Sequence, residues 1–215
     1  GCFDVTPAKV IIRDNWFHGM VGGIDFWGAG AYLPDGWTSA LANIEISGNK
    51  FYDMVAAGPY PGFGILIEDP ANRVNAGNDY AVKIENNEFA NLPTNVSTST
   101  PGVGIAITRA DDIWEAANVY ISGNSFSSDV TVGVAFQDGD VSDALVTGNS
   151  FSNSVYAILA TGIDNGPVDA TCNWYNTTDA YAVAAKVSGD VQFLPFSTSA
   201  SPMNCLGIGP VVNVT

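Results

Sequence analysis

Basic residues are scarce in this chain: 7 Lys and Arg stand against 22 Asp and Glu, leaving a net charge of −15 at pH 7. A surface of that sign has no electrostatic footing on nucleic acid or on an anionic membrane. Charge of either sign is also thin, at 13% of 215 residues, where roughly a quarter is usual. A polar exterior must therefore come mainly from Ser, Thr, Asn and Gly. No apolar run approaches the ~18 residues that a membrane-spanning helix needs, so no membrane insertion is expected. The single histidine, His18, has no Ser or Cys partner in view; it reads as a surface turn residue, and a Ser-His-Asp arrangement is unsupported. The three cysteines, Cys2, Cys172 and Cys205, lack metal-site spacing and leave room for one disulfide and an odd thiol. Helical periodicity of useful length is missing too. The chain opens on Gly1 without a basic or apolar leader, which fits a processed product or an excised piece.

What is present points to β structure. The chain is 47% hydrophobic with 23 Gly and 11 Pro, and its short Val/Ile runs disfavour disorder. Sequons at Asn95, Asn176 and Asn213 hint weakly at an extracytoplasmic setting, since an Asn- and Thr-rich chain makes such triplets by chance.

One phrase recurs: aliphatic residues at i and i+2, then Asn, then an aromatic two residues later. Its copies end at Phe17, Phe51, Phe89, Phe126, Phe151 and Tyr175, and their asparagines are Asn15, Asn49, Asn87, Asn124, Asn149 and Asn173. The spacings are 34, 38, 37, 25 and 24 residues, so the unit is about 24 residues with insertions in the first half. A second phrase follows five of the aromatics: GGIDF at 22–26, FGILI at 63–67, VGIAI at 103–107, VGVAF at 132–136 and VYAIL at 155–159. Each alternates as a strand with one buried face does. Three short strands per repeat cannot bury an apolar face alone, but stacked repeats with parallel pairing can.

These residues resemble the right-handed parallel β-helix family, whose generic repeat is I-x-x-N-x-F followed by G-I-x-I, over roughly residues 8–196. The resemblance implies an all-β, single-chain right-handed solenoid of about six coils, with residues 1–196 as the β-helix and 197–215 as an exit segment, linker or assembly tail. It implies that the six asparagines form an internal ladder, a role that suits a side chain tolerant of left-handed turns and costly to bury unpaired. The sixth copy, TCNWYNTTDAYAVAAKVSGDVQFLPF, is similar to the closing segment of surface-exposed members, where a disulfide between Cys172 and Cys205 would tie the exit segment back. Cys2, at the opposite end of the stack, is poorly placed to join either.

Enzymatic members of that family build their cleft over the strand carrying G-I-x-I. Simple alternation sends Ile24, Phe26, Ile65, Ile67, Ile105, Ile107, Val134, Phe136, Ala157 and Leu159 inward. It leaves Gly23/Asp25, Gly64/Leu66, Gly104/Ala106, Gly133/Ala135 and Tyr156/Ile158 as an outward floor. That floor lacks the paired carboxylates that polysaccharide lyases and hydrolases need. The rim is richer: Trp27, Tyr32, Trp37, Tyr60 and Trp114 suit stacking on sugar faces. If the chain is an enzyme, Glu68, Asp69, Arg109, Asp111 and Asp112 are its acid/base candidates. Asp138, Asp140 and Asp143 bring three hard oxygen ligands into one loop, as calcium prefers.

The leading expectation is a non-catalytic extracellular or cell-surface module for structure, assembly or adhesion, extending to a filament subunit through end-to-end self-association, or else one domain of a larger surface protein. It requires no cofactor, and Ca2+ is the candidate ion. The alternatives are a secreted polysaccharide lyase or glycoside hydrolase, and a carbohydrate-binding module.

Overall fold

The computed structural model describes residues 9–26, 44–68, 80–108, 118–127, 129–152, 155–200 and 205. In chain order the strands are β1 (Val10–Arg13), β2 (Trp16–His18), β3 (Gly22–Phe26), β4 (Ile44–Ser47), β5 (Lys50–Tyr52), β6 (Phe63–Glu68), β7 (Val82–Glu85), β8 (Glu88–Ala90) and β9 (Val103–Thr108). There follow β10 (Val119–Ser122), β11 (Ser125–Phe126), β12 (Val132–Asp140), β13 (Leu145–Thr147), β14 (Ser150–Phe151), β15 (Tyr156–Asn165) and β16 (Val168–Asp169). A short helix α1 (Ala180–Ala184) precedes β17 (Val187–Ser188) and β18 (Val191–Gln192).

The strands form three parallel sheets: β1-β4-β7-β10-β13-β16-β18, β2-β5-β8-β11-β14 and β3-β6-β9-β12-β15-β17. From β1 to β13, each strand pairs with the one three elements later, so the chain visits all three sheets before returning to the first. The fold is thus all-β with parallel pairing and almost no helix. Each visit contributes one layer. In the first sheet β4, β7 and β10 bury every other residue, and registers such as Ile46↔Ile84 and Ile84↔Ile121 set like residue upon like. That is why the recurring phrase carries aliphatics at i and i+2.

Between the first and second sheets, the residue before each repeated asparagine adopts a left-handed conformation: Asp14, Gly48, Asn86, Gly123, Gly148 and Cys172 have φ between 55 and 68°. Gly, Asn and Asp accept that geometry at little cost. The following asparagines then hydrogen-bond in a column. The backbone N–H of Asn15, Asn49, Asn87, Asn124 and Asn149 each donates to Oδ1 of the next asparagine at 2.9 Å. Each of those side-chain amides donates to the same oxygen at 3.0–3.1 Å. The remaining amide protons reach carbonyls one layer back, Asn124 to Ile84 at 2.8 Å and Asn149 to Ile121 at 2.9 Å. Asn49 through Asn173 are fully buried, and the column satisfies them.

One strand later the aromatics stack. Phe17, Phe51, Phe89, Phe126 and Phe151 lie 4.9 Å apart with rings within 9° of parallel. Tyr175 continues the stack at 5.6 Å, and Phe196 closes it edge-on at 6.4 Å. The Tyr175 hydroxyl donates to the Ala170 carbonyl; burial pushes its pKa far above the ordinary phenol range, so it stays protonated.

Simple alternation misplaces the third strand of each layer. A Cβ at Gly23, Gly64, Gly104 or Gly133 would lie 2.5–2.6 Å from a ring carbon of Phe51, Phe89, Phe126 or Phe151, and 2.6–2.7 Å from a backbone oxygen of the next layer. These glycines therefore face the phenylalanine column and are not part of an outward floor. Strand pairing passes from Gly22↔Phe63 directly to Ile24↔Ile65, so two successive residues turn inward before alternation starts. The fifth copy shifts for the same reason. Ile158 pairs with Val134 inside, and Leu159 pairs with Ala135 on the outer face. Ala157 occupies the glycine position there, where the ring column widens to 5.6 Å.

Candidate functional site

The outward face of the third sheet carries one continuous row: Asp25, Leu66, Ala106, Ala135, Leu159 and Ser188, opposite one another in register. Two residues farther along, Glu68, Thr108, Gln137 and Thr161 form a second row. The first row is apolar over its central four positions, and the second is hydroxyl and amide beyond Glu68. Thr108 Oγ1 is shielded from solvent without a hydrogen-bond partner. Of the acid/base candidates, only Glu68 is placed, half-buried beside Thr108; Asp69, Arg109, Asp111 and Asp112 lie outside the described residues. So do Trp27, Tyr32, Trp37 and Trp114 among the proposed stacking residues, and Cys2.

Tyr60 is placed on the loop between β5 and β6, 61% exposed. Its loop is braced from the next layer by Asn95, whose side-chain amide donates to the carbonyls of Gly58 at 2.9 Å and Tyr60 at 3.1 Å. Asn95 Oδ1 accepts from the Ser97 N–H and hydroxyl. The sequon at Asn95 is therefore buried and fully engaged, whereas Asn176 is exposed in a left-handed turn. Asn213 lies outside the described residues.

The acidic loop is organised by its own chain. Asp140 Oδ1 accepts from the Ser142 N–H at 3.0 Å and hydroxyl at 2.8 Å, while Oδ2 accepts from Asn165 at 2.7 Å. Burial works to raise the Asp140 pKa, but these hydrogen bonds outweigh it and hold the group below the ordinary carboxylate range. Asp138, Asp140 and Asp143 do not gather into a ligand set: among the described residues no group of three or more His, Cys, Asp or Glu is arranged to hold a metal ion.

Cys172 and Cys205 are joined by a disulfide with their Cα atoms 5.2 Å apart. It closes a loop of 33 residues in sequence separation, for which chain entropy gives about 4 kcal/mol. Cys205→Ser is expected to lower unfolding stability by about that amount, and chemical denaturation of the variant beside the unreduced parent measures it.

A second surface lies on the outer face of the second sheet, where the inward Phe of each strand is the dominant sequence signal. Alternation in WFH and KFY sends Trp16 and His18 of β2 outward from the second sheet, beside Lys50 and Tyr52 of β5. Trp16 is 69% exposed. Its ring meets Tyr52 edge-on at 6.2 Å, and Tyr52 stacks on His18 at 5.2 Å. Lys50 Nζ stands 6.0 Å from the Trp16 centroid and pairs with Glu88 of β8 at 2.9 Å. Met20 and Val55, both exposed, extend the patch past the strand ends, joined by the Val55 N–H donating to the Met20 carbonyl at 3.0 Å. Period-two reading of both faces would have found it.

On the first sheet, Tyr80 and Tyr120 stack at 4.6 Å with Lys83 Nζ about 6 Å from both rings. Glu45 pairs with Lys9 at 2.8 Å, and the hydrogen bond from Lys9 lowers its pKa. No described helix is long and apolar enough to cross a membrane.

In comparisons with family models, curated proteins and solved structures, nothing matches the chain.

Proposed function

We propose that the chain is one right-handed parallel β-helix serving as a non-catalytic extracellular or cell-surface module for structure or adhesion. The three sheets and their return every third strand support the solenoid. The right hand follows from the parallel crossovers, which take that hand in about 98% of cases. The observation that carries the functional reading is the row Leu66, Ala106, Ala135, Leu159 along the outer face of the third sheet. Cleaving a glycosidic bond needs two carboxyl groups, or a carboxylate and a base, aimed at it from adjacent layers. Along the neighbouring row Glu68 is followed by Thr108, Gln137 and Thr161, none of which is acidic. The Cys172–Cys205 disulfide supports an oxidising compartment.

At the far end Phe196 lies one layer past Tyr175, and α1 feeds Ala180 and Val183 into the core. End-to-end self-association into a filament would need complementary surfaces at both ends of the stack.

The test is incubation with a panel of polysaccharides while measuring new reducing ends and unsaturated products. The expected result is no release above that of the Glu68→Gln variant. Release by the parent that Glu68→Gln or Asp111→Asn abolishes would reverse the reading in favour of a lyase or hydrolase.

A further inference from the structure

We infer that the outer face of the second sheet around Trp16 is a binding site for a neutral glycan. The argument begins with the shape of the patch. Trp16 offers a broad, largely exposed indole, and Tyr52 and His18 continue the aromatic surface into the next layer. Large aromatics are usually buried for the apolar area they remove from water. Here Phe17 and Phe51, the central residues of the same strands, already fill the core column, so the outward aromatics add nothing to it.

Charge then selects the ligand. A cationic ligand would compete with Lys50, whose Nζ stands 6.0 Å from the Trp16 centroid, for the ring quadrupole, while most of the indole stays open to an uncharged face. A polyanion meets a chain of net charge −15, and the one nearby ammonium is neutralised by Glu88 at 2.9 Å. What remains is an uncharged ligand with a flat apolar face and a polar edge. A pyranose has both: its C–H face lies on the indole, and its hydroxyls meet the Lys50–Glu88 pair, which supplies donors and an acceptor side by side. Met20 and Val55 extend the apolar surface at one margin. This site differs in place and residues from the rim of the third sheet, and it needs no chemistry.

Affinity gel electrophoresis tests it, with hydroxyethylcellulose, mannan and galactan as neutral probes and polygalacturonate as the anionic one. Retardation by at least one neutral polymer is expected, unaffected by salt because no net charge is recruited. Trp16→Ala should weaken it roughly tenfold or more, as loss of an aromatic anchor does, while Trp16→Phe retains most of it. Tyr52→Ser should weaken it several-fold, about as expected for a secondary contact. Trp16 is exposed, so its variants should keep the parent's circular dichroism and melting midpoint; Tyr52→Ser gives an independent reading if they do not. Absence of retardation by every neutral polymer, binding of polygalacturonate alone, or equal binding by the parent and both Trp16→Ala and Tyr52→Ser overturns the site. Binding together with shortening of the polymer leaves the site standing and overturns the non-catalytic reading instead.

Discussion

Asn124→Ala is expected to destabilise the protein by about 3 kcal/mol or more, since each buried polar group left unpaired costs roughly 1–3. Asn124 Oδ1 accepts both the backbone N–H and the side-chain amide of Asn87, and its own amide donates to the Ile84 carbonyl. Truncation orphans three polar groups in a core without solvent. A total stability of about 5–15 kcal/mol is ordinary for a domain, so the variant stands near the edge of folding. Asn15→Ala is the contrasting case. Asn15 is exposed in the first described layer, and its side chain donates only to Arg13 and Asn49, so about 1 kcal/mol or less is expected. Urea unfolding of both variants decides the matter: equal losses, or a small loss at Asn124, would mean that the column is not a cooperative element.

Phe89→Ala is expected to cost about 4–5 kcal/mol, the upper part of the range for a buried aromatic. The ring is 1% exposed and flanked at 4.9 Å by Phe51 and Phe126. The cavity has little means of closing. The residue facing the ring from the third sheet is Gly64, which has no side chain to lean in, and the neighbouring rings are fixed by their own partners. Phe17→Ala, with a ring partner on one side and partial exposure, should lose about half as much. Thermal unfolding would contradict this if the two variants melted together.

Both predictions rest on features that sequence reading reaches with unequal ease. The parallel all-β architecture is legible because the phrase occurs six times, and each copy places an aliphatic pair, a left-handed turn and an aromatic in fixed order. The third strand is misjudged because period two assumes that every residue alternates. The close approach of the Phe column to the preceding layer's backbone forces glycine inward at 23, 64, 104 and 133, and that contact joins residues 18–28 apart in the chain. The Trp16 patch is missed for a different reason. Its members sit on either side of the strongest core signal in their strands; the register Trp16↔Lys50 and His18↔Tyr52 repeats the spacing of 34 between Asn15 and Asn49, so the patch is legible only when the outward positions of the aligned copies are followed as well. Glu68 is the one acid/base candidate whose surroundings are described. Its neighbour across the sheet is Thr108, with Gln137 one strand beyond.

Hydrogen exchange of the asparagine side-chain amides, followed residue by residue by NMR, tests most directly whether the layers form one continuous solenoid. The account predicts slow exchange at Asn49, Asn87, Asn124, Asn149 and Asn173, protected to the level of global unfolding, and fast exchange at Asn15. Rapid exchange at the interior asparagines, or protection that differs from one layer to the next without regard to the column, would contradict it.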